Sequence, residues 1–89
     1  MVTAYGTVST GTYNGKKSIY VLMWNGGLEF CFDYRSMNLV QVDDAHTGEW
    51  ITYEKKDELE WARKYYNRQY TYARRKAREF KESKTKKRK

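Results

Sequence analysis

The chain has 89 residues, of which 39% are hydrophobic and 17% aromatic, and its formal net charge is +7. This length provides for one domain, and the aromatic content exceeds what a disordered chain would carry. No apolar run approaches the roughly 20 residues of a membrane-spanning helix, and the start MVTAYGTVST lacks the basic and apolar segments of a signal peptide. We therefore expect a cytoplasmic protein, or a nuclear one in a eukaryotic host.

The first 54 residues have the pattern of short antiparallel strands. The candidate segments are TAYGTVSTGTY, SIYVLMW, LEFCFDY, NLVQV and EWITY. Asn14-Gly15 and Asn25-Gly26 favour tight hairpin turns, since both residue types tolerate positive φ. Apolar and polar residues alternate through LEFCFDY, which predicts one buried and one wet face. Four or five such strands predict a small curled antiparallel sheet or an SH3-like or OB-like barrel, and a flat three-stranded sheet crossed by a helix is the alternative.

Residues 55–82 contain no Gly or Pro and are rich in Ala, Glu, Lys and Arg, which predicts one long helix. Apolar and small residues recur along one side of this helix. They are Leu59, Ala62, Tyr66, Tyr70, Ala73, Ala77 and Phe80. We expect this stripe to pack on the strands, although its near-heptad spacing also permits pairing with a second copy in a homodimer. The helix would be roughly 40 Å long, so we expect its far end to project.

The two halves of the chain differ in charge. Residues 1–54 carry three Lys or Arg against six Asp or Glu, a net charge of −3. Residues 55–89 carry fifteen against five, a net charge of +10. The predicted fold class is therefore α+β, with an acidic antiparallel β module at 1–54, a long basic amphipathic helix at 55–82 packed partly on that module, and a disordered basic tail at 83–89.

The stretch YYNRQYTYARRKAR at 65–78 interleaves aromatic and basic residues. At about 100° per residue, the basic side chains of the helix spread over an arc beside the apolar stripe. They are Arg63, Lys64, Arg68, Arg74, Arg75, Arg78 and Lys81. A smaller strip holds Trp61, Tyr65 and Tyr72, which either stack on exposed bases, cover the β module or stack with the neighbouring arginines. No acidic residue separates Arg63 from Arg78, so these charges repel and an anionic partner would offset them.

Residues with the spacing of a catalytic or metal site are missing from the sequence. Cys31 is the only cysteine and lies within a predicted strand, so it forms no internal disulfide. His46 lies in the polar loop DDAHTG, whose composition is more typical of a solvent-facing turn than of a general-base or metal cluster. We therefore expect no enzymatic activity, no metal and no cofactor.

Basic charge beside aromatic residues predicts a small nucleic-acid-binding protein. The seven basic side chains would contact phosphates of RNA or DNA, with little sequence specificity because phosphate contacts do not read bases. The exposed bases of RNA or of single strands suit the aromatic residues better than duplex DNA does. The alternative is a protein-protein interaction module, an adaptor or inhibitor such as viruses encode, which docks on a host or other partner protein through its helix or its β module.

Overall fold

The computed structural model describes residues 6–23, 27–45 and 48–86. These residues form one antiparallel sheet of five strands followed by two helices. The elements are β1 (Gly6–Tyr13), β2 (Lys16–Met23), β3 (Leu28–Asp33), β4 (Leu39–Asp44), β5 (Ile51–Tyr53), α1 (Lys56–Tyr65) and α2 (Asn67–Lys86). Each strand pairs with the next in the order β1-β2-β3-β4-β5. The predicted α+β class is confirmed, with all five candidate strands present.

The first hairpin turn forms where the sequence predicts it. Asn14 and Gly15 have φ angles of 54° and 77°, and the flanking residues Tyr13 and Lys16 pair directly. Two consecutive positive φ angles match the right-handed twist of the strands, which explains why Asn-Gly is favoured here. The second predicted turn, Asn25-Gly26, lies outside the described residues.

The sheet is open, so of the two predicted forms the curled sheet is present and the SH3-like or OB-like barrel is not. β5 has only three residues, and the chain enters α1 two residues later, which leaves too little strand to pair with β1. A side-chain hydrogen bond connects β1 with the residue that follows β5. The Tyr13 hydroxyl, at the end of β1, donates a hydrogen bond of 2.9 Å to the Glu54 carboxylate that follows β5. The Gln41 amide donates to the same carboxylate oxygen at 2.9 Å. The sheet is therefore strongly curled without being closed.

Both helices pack on the same face of the sheet and enclose the core. α1 lies over β4 and β5, and α2 lies over β1, β2 and β3. The largest fully buried side chains, Phe30 and Phe32, meet the half-buried Tyr70 of α2 at ring-centroid distances of 6.1 Å each. The predicted apolar stripe is confirmed as the packing face. Ala62, Tyr66, Ala73 and Ala77 are buried, while Leu59, Tyr70 and Phe80 are half-buried against the core.

The helical region is divided at Tyr66, so the prediction of one continuous helix over 55–82 is wrong. Tyr66 has φ −104° and ψ 41°, well away from helical values. Its buried hydroxyl donates a 2.5 Å hydrogen bond to the carboxylate of Asp44, which is itself only 5% exposed. Helical hydrogen bonding continues on both sides, since the Tyr66 N–H donates to Ala62 and the Tyr70 N–H to Tyr66, both at 2.8 Å. The result is a bend without a loop, and its anchor lies on β4.

The start of α1 is fixed by a carboxylate of its own first turn. Glu58 accepts the backbone N–H groups of Glu54 and Lys55, both at 3.2 Å, which satisfies donors that the helix leaves unpaired. Acidic residues occupy the first turn, and Arg63 and Lys64 occupy the last. Both placements complement the helix dipole.

The end of α2 differs from the prediction in its length. α2 continues to Lys86, so residues 83–86 are helical rather than part of a disordered tail. Lysines are favourable in the last turn of a helix, and no Gly or Pro stops this one earlier. α2 contacts the β module as far as Lys81, whose ammonium donates to the carbonyl oxygens of Tyr34 at 2.6 Å and Arg35 at 3.3 Å. Residues 87–89 lie outside the described residues.

Neither described helix is long and apolar enough to cross a membrane.

We expect the protein to lose stability in strong alkali, partly through Tyr20 of β2. Burial and the neighbouring Cys31 raise the pKa of Tyr20 from 10.0 to about 12, and its hydroxyl donates to the Thr12 carbonyl at 2.9 Å. A raised folded-state pKa contributes stability that is complete below the unfolded pKa and is lost as pH rises through the folded one. The free energy of unfolding should therefore fall between about pH 10 and pH 12. Urea titrations at several pH values would measure it.

The variant Tyr20→Phe is the control for this pH dependence. It removes the ionisable group while keeping the ring, so the decrease in stability with pH should be shallower than in the unchanged protein. An equal decrease in both proteins would contradict the assignment.

Candidate nucleic-acid interface

A groove of about 840 Å³ lies between the two helices and the turn that joins β3 to β4. The bend at Tyr66 is what separates its walls, because it sends α1 over β4 and β5 and α2 over the other strands. The lining residues come from α1, α2 and this turn. They are Met37, Asn38, Leu39, Lys56, Leu59, Glu60, Arg63, Tyr70, Thr71, Arg74, Arg75 and Arg78.

The groove has an apolar floor and a basic rim. Its floor is formed by side chains that are buried or half-buried against the core: Met37, Leu39, Leu59 and Tyr70. Its rim holds five basic residues, Lys56, Arg63, Arg74, Arg75 and Arg78, of which only Arg74 is half-buried and the others are exposed. Glu60 is the one acidic lining residue, so the groove carries five positive charges against one negative. Such an excess of one sign attracts anions.

The rim cations are not neutralised within the part of the chain that the structure describes. There, Lys76 and Glu79 form an ion pair of 3.6 Å, but the guanidinium groups of Arg74 and Arg78 have no carboxylate at ion-pairing distance. The Arg63 guanidinium lies 5.9 Å from the centre of the Tyr70 ring. Guanidinium groups held together without counter-charges are available for phosphate, which they bind in a bidentate manner.

The turn from β3 to β4 is held rigidly where it forms one wall of the groove. The Asp33 carboxylate accepts hydrogen bonds from the Ser36 backbone N–H at 2.9 Å and from its hydroxyl at 3.1 Å. The Ser36 N–H thereby lowers the pKa of Asp33. Met37 has a φ of 66°, a left-handed conformation that is uncommon for a non-glycine residue. Lys81 of α2 also donates hydrogen bonds to the carbonyl groups of Tyr34 and Arg35 in this turn. Together these contacts hold Met37 and Asn38 in place at the groove.

The groove brings together four of the seven basic residues that the sequence predicts. Arg63, Arg74, Arg75 and Arg78 line it, whereas Lys64 and Arg68 are exposed outside it. The ammonium of Lys81 is engaged by the β3–β4 turn, where it is also 5.1 Å from the centre of the Tyr34 ring. The predicted arc is therefore divided between the groove, the outer side of the helices and a structural contact.

The predicted aromatic residues do not lie at the groove. The Trp61 and Tyr65 rings stack on each other with centroids 4.9 Å apart and planes at 10°. Trp61 also contacts Tyr53 of β5 at 5.6 Å. Tyr72 is separate from them, since it is half-buried against the core, with the Arg75 and Lys76 charges 5.8 and 5.7 Å from its ring. Tyr72 thus fits the covering role that was the alternative to base stacking.

Trp61 and Tyr65 belong to an exposed aromatic patch that continues along β5. We define the patch as Ile51, Tyr53, Trp61 and Tyr65. Ile51 is 41% exposed, Trp61 49% and Tyr65 66%. β5 is an edge strand, so its outer side is also unpaired among the described residues. An exposed apolar surface next to a free strand edge is a feature of protein-binding sites.

Sequence reasoning missed the groove residues outside the arc. Lys56 precedes Arg63 by seven residues, about two helical turns, so the helical period would have placed both on one face. The turn residues Met37 and Asn38 offered no such signal, because only the tertiary structure brings them to the helices. His46 lies outside the described residues, and among the described ones no group of three His, Cys, Asp or Glu side chains could hold a metal ion.

The sheet face opposite the helices carries acidic residues. Glu29 on β3 and Asp43 on β4 are directly paired across the strands. Burial and the Asp43 charge raise the pKa of Glu29. Negative charge on this face repels anions, whereas the basic rim on the helical side attracts them.

We expect Glu29→Gln to stabilise the protein at neutral pH. The change removes a half-buried charge that faces a like charge, a pair type that costs up to about 1 kcal/mol. A raised carboxyl pKa makes this penalty present above the folded pKa and absent below that of an unfolded glutamate, about 4.3. The gain measured by urea unfolding should disappear in acid. Glu49→Gln, at an exposed position, should change little, and an equal gain there would contradict the explanation.

Comparison of the chain with protein-family models, with curated proteins and with solved structures gave no match.

Proposed function

We propose that this chain is a small non-enzymatic nucleic-acid-binding protein that holds phosphates in the basic groove. One observation supports this most directly: Arg63, Arg74, Arg75 and Arg78 converge on a single groove, and Arg74 and Arg78 have no carboxylate partner among the described residues. Like charges held together cost free energy in the unbound protein. Polyanion binding offsets that cost, and it also releases the counterions condensed on the nucleic acid.

The positions of the groove arginines indicate how a nucleic-acid strand would be bound. Arg74 and Arg78 lie four residues apart on α2, so their side chains follow one another along one wall. Arg63 of α1 faces them from the other wall. A phosphate chain lying along the groove would therefore receive guanidinium groups from both sides. Such contacts position the protein on the strand without reading its sequence, so we propose weak sequence preference.

A salt titration tests the proposal. The purified protein is titrated against labelled single-stranded RNA, single-stranded DNA and duplex DNA at several salt concentrations. We expect the logarithm of the association constant to fall linearly with the logarithm of salt concentration, by about 0.7 per neutralised phosphate for single strands. Four groove arginines would give a slope near 3 on that scale. The absence of measurable binding to every probe at low salt would contradict the proposal.

A second candidate function is supported by the aromatic patch. Its exposed members Ile51, Trp61 and Tyr65 present apolar surface beside the edge strand β5, whose outer side is unpaired among the described residues. A protein partner that adds a strand to β5 and covers Trp61 would bury this surface, as in the strand-addition mode of recognition. The chain would then act as an adaptor or inhibitor.

The two candidates respond differently to salt and to substitution. An apolar protein interface should change little with ionic strength, whereas phosphate binding weakens steeply. Partner capture that is lost in Trp61→Ala/Tyr65→Ala but kept in Arg74→Glu/Arg78→Glu would favour the protein-binding function. The reverse pattern, measured with nucleic acid, would favour the groove.

A further inference from the structure

The groove has features that phosphate binding alone does not require. A site that only neutralises phosphates needs cations, yet this groove has an apolar floor of Met37, Leu39, Leu59 and Tyr70 beneath its basic rim. Apolar surface facing a hydrated phosphate chain gains nothing from the contact. A ligand that is anionic along its backbone and apolar on flat attached groups would match both layers.

We propose, on the basis of the function proposed above, that the groove binds single-stranded nucleic acid with an unstacked base inserted against its floor. The bases of a single strand can leave the stack and rest on aromatic or guanidinium planes. Those of a duplex are paired and stacked, so they reach a protein pocket only after an energetically costly opening. The ligand class is therefore single-stranded RNA or DNA rather than a double helix.

The floor offers suitable partners for a base. Tyr70 lines the groove while its ring packs on Phe30 and Phe32, which fixes its position before any ligand arrives. The Arg63 guanidinium lies 5.9 Å from the centre of that ring, so a base at this point would meet an aromatic side chain and a planar cation together. Pre-positioned groups lower the entropy cost of binding.

The size of the groove and its remaining polar groups agree with this ligand. Its volume of about 840 Å³ lies within the range of about 300–1,000 Å³ that is typical of small-ligand sites, which suits a nucleotide better than a double helix. Asn38 and Thr71 are exposed at the rim. Their amide and hydroxyl groups can donate or accept hydrogen bonds at a base edge.

The experiment compares probes that share one phosphate count and differ in their bases. The full chain is titrated with a labelled single strand, made as RNA and as DNA, with an abasic strand of the same length, and with a hairpin duplex. We expect the normal single strands to bind at least about five-fold tighter than the abasic strand, since stacking on one base contributes about 1–3 kcal/mol. The RNA and DNA probes show which sugar is preferred.

Substitutions at the floor and rim locate the contact. Tyr70→Leu should reduce the ratio of normal-strand to abasic-strand affinity, because it removes the ring on which the base rests. Because Tyr70 also packs in the core, the thermal unfolding of the Tyr70→Leu protein is measured first. Asn38→Ala, at an exposed rim position, is the second variant, and it should weaken binding of the normal strand several-fold without affecting the abasic one. The comparison of probes on the unchanged protein stands even if Tyr70→Leu does not fold.

The outcomes separate this inference from the proposed function. Tighter binding of the normal strand, reduced by the floor or rim variant, supports the inserted base. Equal binding of normal, abasic and duplex probes, all weakened by Arg74→Glu/Arg78→Glu, overturns the inserted base and leaves phosphate binding intact. Binding to none of the probes, or binding that the groove arginines do not affect, overturns both.

Discussion

Replacing both Arg74 and Arg78 by glutamate should weaken binding to single-stranded RNA by on the order of 100-fold or more. Hydrogen bonds to a charged group contribute about 1.5–3 kcal/mol each, so losing two phosphate contacts costs at least about 3 kcal/mol. The glutamates also introduce repulsion. The slope of log affinity against log salt should decrease by about 1.4, the share of two phosphates on a single strand. Fluorescence anisotropy at several salt concentrations measures both quantities.

The matched control is Lys64→Glu/Arg68→Glu. It changes the net charge by the same four units, but on exposed residues outside the groove. If the groove is the binding site, this variant should lose much less affinity than the groove variant. Equal losses in the two variants would show that only overall charge matters, and the groove would not be the site. The free energy of unfolding of both variants, measured in urea, should stay within about 1 kcal/mol of that of the unchanged protein, as is usual for surface substitutions.

Replacing Tyr66 by phenylalanine should lower the free energy of unfolding by about 1.5–3 kcal/mol, the usual contribution of a hydrogen bond to a charged group. Tyr66 and Asp44 are only 6% and 5% exposed, so water reaches the carboxylate poorly once the hydroxyl is removed. The ring itself is retained, which separates loss of the hydrogen bond from loss of packing. Chemical denaturation monitored by circular dichroism measures the effect.

The same substitution also tests how the groove is formed. The Tyr66 hydroxyl joins the bend between the helices to β4, so without it the two groove walls are held less firmly. We expect weaker nucleic-acid binding together with lower stability. Tyr65→Phe, at the 66% exposed neighbour, is the control and should alter neither. A Tyr66→Phe protein as stable as the unchanged one would contradict the anchoring role of this hydrogen bond.

Local periodicity in the sequence was sufficient to predict the packing faces and most of the secondary structure. Alternation in LEFCFDY placed Phe30 and Phe32 on the buried face, and Asn14-Gly15 identified the first turn, because strand pleat and turn geometry depend on neighbouring residues. The stripe from Leu59 to Phe80 correctly identified the helix face that meets the sheet, since the helical period fixes which side chains share a face. In this structure the residues of the stripe pack against the sheet of the same chain.

The candidate site could be predicted only in part. The helical period found Arg63, Arg74, Arg75 and Arg78, which do line one groove. It also placed Lys81 among them, although the ammonium of Lys81 holds the β3–β4 turn. The difference depends on a carbonyl group 47 residues away in the chain, which the helical period cannot reveal.

The sequence by itself thus determined most of the strand and helix assignments, which helix face is apolar and where positive charge is concentrated. Only the tertiary structure decided that the helical region bends at Tyr66, that the sheet stays open and that the basic side chains divide between a groove and the outer surface. The physical reason is the distance along the chain between the residues that interact. Periodicity and turn chemistry act between residues a few positions apart, whereas the bend depends on a hydrogen bond between residues 22 positions apart and the curl on one between residues 41 apart.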